Sequence, residues 1–349
     1  SIIKGEQGIE VNVEDSIAAI ENYISSEWDG GDAEIELVAE VVEPRGSEED
    51  LEQITDLMGS YTTNYKDSGQ NRCDNISNAT SKINGTLLYP GEEFSVYEAI
   101  GPLDAANGYE LAGAYENGQT VESYGGGVCQ VSTTLYNAVI LAELEITQRS
   151  NHSMIVSYVK PSMDAAIAGD YKDLRFVNNQ DIPIYIEGYT EGKNVTFKIY
   201  GHDTRPSNRV VTYESEVVSE QDPGTQYVAT GDPAGYMKTA QGKHIGYVAR
   251  LWKVVTVDGV EESREIFNKS TYKASPKIVN VGTASADPNV SAAIGAALAT
   301  GDEATINAAV APYAASAAAI LNPAPVEQPS QEEQAITGTV DESQITGGE

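Results

Sequence analysis

The chain has 349 residues, with 53 acidic against 21 basic side chains and a formal charge of −32. That balance excludes the phosphate neutralisation on which nucleic-acid binding depends, and it disfavours anionic membrane surfaces. A hydrophobic content of 40% is enough for the cores of roughly two or three domains, and two cysteines make no disulfide framework.

The opening SIIKGEQGIEVN has neither an initiator Met nor a signal-type apolar run. The expectation is an ectodomain trimmed of a signal or N-terminal anchor. No stretch of about 18 consecutive apolar residues occurs, so no transmembrane helix is expected. Residues 1–66 read as a mixed α/β module. VEDSIAAIENYI spaces Ile17, Ile20 and Ile24 along a helix face, and AEIELVAEVVEP alternates like a strand. SEEDLEQITDLM reads as a second helix with Ser47 as its N-cap and Asp50 three residues on.

Residues 67–206 read as an α+β core. The pattern predicts a helix over Asn75–Lys82 and strands around Glu93–Val96, Met154–Val159, Leu174–Val177, Ile182–Glu187 and Val195–Tyr200. Between them lies YGGGVCQVSTTLYNAV. Val131, Leu135, Val139 and Ala142 fall on one helical stripe, so Cys129 opens an amphipathic helix directly after Gly125, Gly126 and Gly127. Unpaired N–H groups and the positive dipole end of a helix favour thiolate, the attacking form. Glycines allow close backbone approach, so N–H groups of Gly126, Gly127 and Cys129 could serve a developing oxyanion. The same letters also describe a small buried thiol after a tight turn.

A thiol nucleophile needs a base, and the chain offers His152, His202 and His244. His152, in QRSNHSMIVSYV, follows the Cys129 helix and is the leading candidate, with a polar turn residue as the other reading. His202 and His244 read as turn and hairpin residues. Asp164 is preferred over Asp173 as the group that orients the imidazole, although both fit surface turns. No metal-ligand spacing or cofactor motif occurs, so neither a metal nor a cofactor is expected.

Residues 207–283 turn β-rich, with the Asp258-Gly259 step marking a tight hairpin. Beyond Gly282 there is no Lys or Arg; an Ala-rich helical stretch leads into an acidic, Pro- and Gln-rich tail expected to be disordered.

NGTLLYPGEEFSVYEAIG, GYELAGAYENG, YGGGVCQVSTTLYNAVILAELEITQRSNHS, MDAAI and DLRFVNN together resemble the VanW domain, from about Asn71 to Tyr200. Some members of that family are peptidoglycan L,D-transpeptidases. The resemblance implies an extracytoplasmic wall enzyme with Cys129 as nucleophile and His152 beside it, taking stem peptides and glycan strands as partners. Gly125, Gly126, Gly127, Gln130 and Arg149 of those blocks then become oxyanion and substrate-binding candidates. Cys73, in NRCDNI, departs from the pattern and is either inert or a disulfide partner for Cys129. The first module resembles a peptidoglycan-binding domain. Gly224, Gly231, Gly235, Gly242 and Gly259 resemble the five-glycine module of wall-active enzymes. Either flanking module fits a spacer as well. A non-catalytic wall-binding protein is the alternative reading of the whole.

Overall fold

The computed structural model describes residues 7–42, 48–116, 119–169 and 171–321. The chain opens with β1 (Gly8–Val11), α1 (Val13–Ser26), β2 (Ala39–Val42) and α2 (Glu48–Glu52). Then come β3 (Asp56–Asn64), α3 (Gln70–Ile83), β4 (Thr86–Leu88), β5 (Glu93–Ser95), α4 (Val96–Ile100), β6 (Leu111–Glu116), β7 (Gln119–Tyr124) and α5 (Val128–Leu141). They are followed by β8 (Glu145–Gln148), β9 (Arg175–Val177), β10 (Ile184–Glu191), β11 (Asn194–Gly201) and β12 (Arg209–Gln221). The remainder is β13 (Thr225–Pro233), β14 (Met237–Gln241), β15 (Gly246–Val257), β16 (Val260–Tyr272), β17 (Lys277–Ala284), α6 (Pro288–Thr300), α7 (Glu303–Val310) and α8 (Ala314–Leu321). The class is α+β with a β-rich C-terminal region. Contacts divide the chain into two compact units, residues 1–223 with 244–275 and residues 224–243 with 276–349.

In the first unit, Asn12 caps α1 by accepting from Asp15 N at 3.1 Å, and β1 pairs with β2. The strand expected over AEIELVAEVVEP is reduced to β2, because only four residues find a partner on β1. Of the helix expected around SEEDLEQITDLM, α2 remains; Ser47 lies outside the described residues. From Asp56 the chain is strand instead, since β3 pairs along its length with β11, and a sheet partner overrides local helical spacing. This pairing ties residues 56–64 to the core sheet, although the sequence places the module boundary near residue 66.

The core sheet is antiparallel with order β3-β11-β10-β4. Ile184, Ile186, Val195, Phe197 and Ile199 are fully buried on it, together with Ile76 and Ile83 of α3. Helix α5 rides on β3 at Gly59, where an added Cβ would sit 2.2 Å from Ala138 O. That helix is not amphipathic: Val128 and Gln130 through Ile140 are all buried. Several of its polar side chains are paired inside, with Thr134 bonded to Thr63 at 2.7 Å and Asn137 donating to Met163 O at 2.8 Å, while Ser132 Oγ has no partner among the described residues. A helix buried on every side is what a central packing position demands, and the apolar stripe was only one part of it.

Met154–Val159 is not a strand. Met154 and Val156 are buried at alternate positions, but the backbone of 150–168 is an irregular loop. Its main-chain groups pair singly, as when Lys273 N donates to Ser153 O at 2.7 Å. Alternating burial therefore produced a strand-like pattern without a ladder. The sheet β12-β15-β16 completes this unit, and Asp258 (φ 52°) and Gly259 (φ 78°) form the two-residue turn between β15 and β16.

The second unit is the sheet β13-β17-β14 with α6, α7 and α8, cored by Val281, Ile294, Ile306 and Val310. Glu303–Leu321 forms a 19-residue helical run of mean hydropathy 1.4, long and apolar enough by length and composition to cross a membrane. The sequence count of consecutive apolar residues did not anticipate it, because Thr, Asn, Pro and Ser interrupt the alanines. Of the glycines singled out in the sequence, Gly224, Gly235 and Gly259 have positive φ; Gly231 and Gly242 have neither that nor any atom a Cβ would meet within 4 Å. The five-glycine description therefore does not hold in detail.

Candidate functional site

Gly127 is the residue before α5, with φ +116°, and a Cβ there would also press on Ile76 and Arg72. This turn sets Cys129 in the first turn of α5, partly exposed. Its Sγ accepts from Ile167 N at 3.4 Å and lies 3.4 Å from Ile167 O. Gly125 N and Gly126 N are committed to Glu110 O and Ser123 O, both at 3.3 Å. Gly127 N and Cys129 N have no hydrogen-bond acceptor among the described residues, which leaves these two donors for an oxyanion.

His152 is buried in the loop after β8, and its Nδ1 lies 2.7 Å from Asp164 Oδ2. The same oxygen accepts His152 N at 2.7 Å, so one carboxylate fixes both the ring and its backbone. Nδ1 thus donates, and Nε2 is left on the side of Tyr158, whose hydroxyl is 3.4 Å away and whose ring stands edge-on. Burial alone would raise the Cys129 thiol; the influence of His152, with Ile167 N, outweighs it and lowers the thiol below its ordinary value. Burial likewise opposes an imidazolium, yet Asp164 and Cys129 raise His152 to about 9. Asp164 is held down to about 2 against its own burial, chiefly by His152, with Arg149 adding to it. The His152–Asp164 pair is thus bonded through Nδ1, and the Cys129 thiol at the start of α5 is lowered by His152.

Asp173 is elsewhere: it accepts from Ser95 Oγ at 2.6 Å and Tyr97 N at 2.9 Å, and pairs with Arg175. Gln130 points into the core, donating to Thr63 Oγ1 and Asn64 O and accepting from Arg72. Arg149 is likewise inward, donating to Asp164 O at 2.7 Å, Asp164 Oδ1 at 3.0 Å and Ser270 Oγ at 2.9 Å. Neither faces open space; both buttress the site. His202 sits exposed by Asp56, and His244 pairs with Ser275 through its backbone. Both thiols are free, and Cys73 Sγ turns to Ser68 O at 3.7 Å. Sequence reasoning missed Tyr158, Ile167, Ser270 and Tyr272, which reach the group from a loop and a distant strand. An open groove at the other end of α5, lined by Leu141, Arg205 and Arg209, is separate from this group, and its cations are bonded to Asp203, Glu143 and main-chain carbonyls.

A family model described as VanW like protein matches residues 71–200, and one described as G5 domain matches residues 212–284. An uncharacterized protein of Bacillus subtilis (strain 168), YoaR, is 33% identical over 204 residues, covering 58% of this chain and 66% of that protein. The vancomycin B-type resistance protein VanW of Enterococcus faecalis (strain ATCC 700802 / V583) is 30% identical over 118 residues, 32% of this chain and 42% of that protein. The matches span less than two thirds of either relative. A solved IgA1 protease G5 domain, 26% identical, covers 22% of this chain and 94% of its own at a TM-score of 0.17. Cys129, His152 and Asp164 all lie inside the first matched segment, β15 and β16 and most of β12 inside the second, so this chain carries a VanW-like domain followed by a G5 domain.

Proposed function

We propose that this protein is an extracytoplasmic cell-wall acyl transferase that crosslinks peptidoglycan stem peptides as a cysteine L,D-transpeptidase. The observation that carries the reading is Cys129 at a helix start, with the Gly127 and Cys129 N–H donors free among the described residues and the His152 imidazole anchored at 2.7 Å to buried Asp164. The lowering of the thiol by His152 supports it. The Cys129 thiolate attacks the stem carbonyl after the third residue, and the C–N bond to the terminal D-Ala breaks. His152 gives its proton to the departing amine, leaving a thioester. The amine of a second stem then attacks that thioester; His152 takes the proton and Cys129 leaves as thiolate. Gly127 N and Cys129 N meet the tetrahedral oxyanion, each worth on the order of 3 kcal/mol. The resistance to vancomycin in the name of one relative supports a wall substrate. The G5 domain supports contact with the glycan strands of the same wall.

The experiment is mass spectrometry of tetrapeptide-bearing wall fragments incubated with wild-type protein and Cys129→Ala. The expected result is a thioester adduct on Cys129 and a crosslinked dimer, both lost in the variant while the fold survives. Crosslink-free spectra from both proteins, with retention on wall fragments, would establish a binding protein instead.

A further inference from the structure

Asp164 is held from outside the segment that the VanW model covers. Its Oδ1 accepts the Tyr272 hydroxyl at 2.5 Å as well as Arg149 Nη2, and Tyr272 is 2% exposed near the end of β16. The Tyr272 oxygen in turn accepts Ser162 N at 2.7 Å, two residues before Asp164 in the chain. Ser162 is a fully buried non-glycine residue at φ +67°, a conformation that persists only where its surroundings fix it. β16 fixes it twice, because Asn268 Nδ2 also donates to Ser162 O at 3.2 Å. Asn268, Ser270 and Tyr272 alternate along the strand, so one face of β16 presents all three to the loop. Ser270 accepts Arg149, the other cation on Asp164.

We propose that β16 of the G5 domain is a working part of the Cys129 centre, with Tyr272 a positioning residue that holds Asp164 against His152. The inference rests on the reading of Cys129 as a nucleophile. Burial drives the Tyr272 phenol upward, so its hydroxyl stays protonated and serves only as donor to the carboxylate. The titratable and charged groups acting with the carboxylate are His152, Arg149, Tyr272, Tyr136 and Tyr158; those acting on the sulfur are His152, Asp164 and Tyr158, beside Ile167 N. With the hydroxyl gone, the loop bearing Asp164 loses the acceptor for Ser162 N, the carboxylate loosens and His152 is held less firmly beside the thiolate. A G5 domain that only sets reach would not touch this equilibrium.

The test is the pH dependence of Cys129 alkylation by iodoacetamide in the full chain, read peptide by peptide so that Cys73 is separated. Wild type should show a midpoint well below the ~8.5 of a free thiol. Tyr272→Phe, which keeps the ring, should move that midpoint up by about 0.5–1 unit with an unchanged circular dichroism spectrum. Ser270→Ala, a smaller change should Tyr272→Phe fail to fold, should move it in the same direction by less. A depressed wild-type midpoint that both variants leave in place overturns this inference alone. An ordinary wild-type midpoint overturns the nucleophile reading and this inference with it.

Discussion

At the scale of single residues, the chemistry depends on which protonation states coexist. Cys129 is lowered and His152 is raised to about 9, so thiolate and imidazolium are present together between those two values. Acyl transfer should rise as pH passes the lowered thiol value. It should fall as pH climbs through about 9, because deprotonated His152 has no proton for the leaving amine. Asp164→Asn tests the same chain from its far end. The amide removes the charge that raises His152 and leaves Arg149 without its buried partner. Turnover is expected to drop by at least ~10²-fold and stability by about 3–5 kcal/mol. A pH–rate profile whose descending limb stays near 9 in that variant would show that Asp164 does not set the imidazole. Cys129 and His152 were legible in sequence because a glycine turn before a helix and a scarce histidine are local signals. Tyr272 was not, since only the folded register of β16 brings it to Asp164.

At the scale of elements, the position of Cys129 follows from how α5 is seated. Strand β3 approaches the helix so closely that Gly59 faces Ala138 O and Ala142 N with no room for a methyl group. Gly59→Ala would force helix and strand apart by more than an ångström at the end opposite the thiol. The expected cost is about 2–4 kcal/mol, read by denaturant unfolding, in line with overpacking of a dense core. A Gly59→Ala protein of wild-type stability would mean that the seat of α5 is softer than its contacts imply. The elements easiest to read were α3, α5, β10, β11 and the Asp258-Gly259 turn, each with strong periodicity or turn chemistry. The missed strand β3 and the false strand over Met154–Val159 share one cause: whether a backbone finds a ladder is decided by distant residues. For β3 that residue set is β11. The 150–168 loop has no such partner, and its backbone bonds scatter to Ser150, Lys172 and Lys273.

At the scale of the molecule, a formal charge of −32 and the buried ion pairs pull stability in opposite directions as pH falls. Protonating exposed carboxylates below neutrality relieves repulsion, a gain that added salt would mimic. Against it stands Glu143, just past α5, which accepts Arg209 at 2.9 Å and Lys253 at 2.8 Å and is only 15% exposed. Burial opposes its charge, but those two cations bring it down to about 2 from an ordinary 4.5. Because the folded value is the lower one, this contribution is complete above about 4.5 and disappears as pH falls through about 2. Its size is about 2–3 kcal/mol at neutral pH, from a shift of that extent discounted for partial exposure. Asp164, also held to about 2, loses its contribution in the same window. Stability should therefore be flat or slightly rising from pH 7 to about 5 and then fall steeply toward pH 2. Glu143→Gln should lower stability at pH 7 and flatten that acid limb, leaving the share owed to Asp164 and to other lowered carboxylates such as Asp203. Chemical denaturation at successive pH values measures both slopes. An acid limb equally steep in wild type and Glu143→Gln would remove this cluster from the account and leave Asp164 and the other lowered carboxylates as the cause.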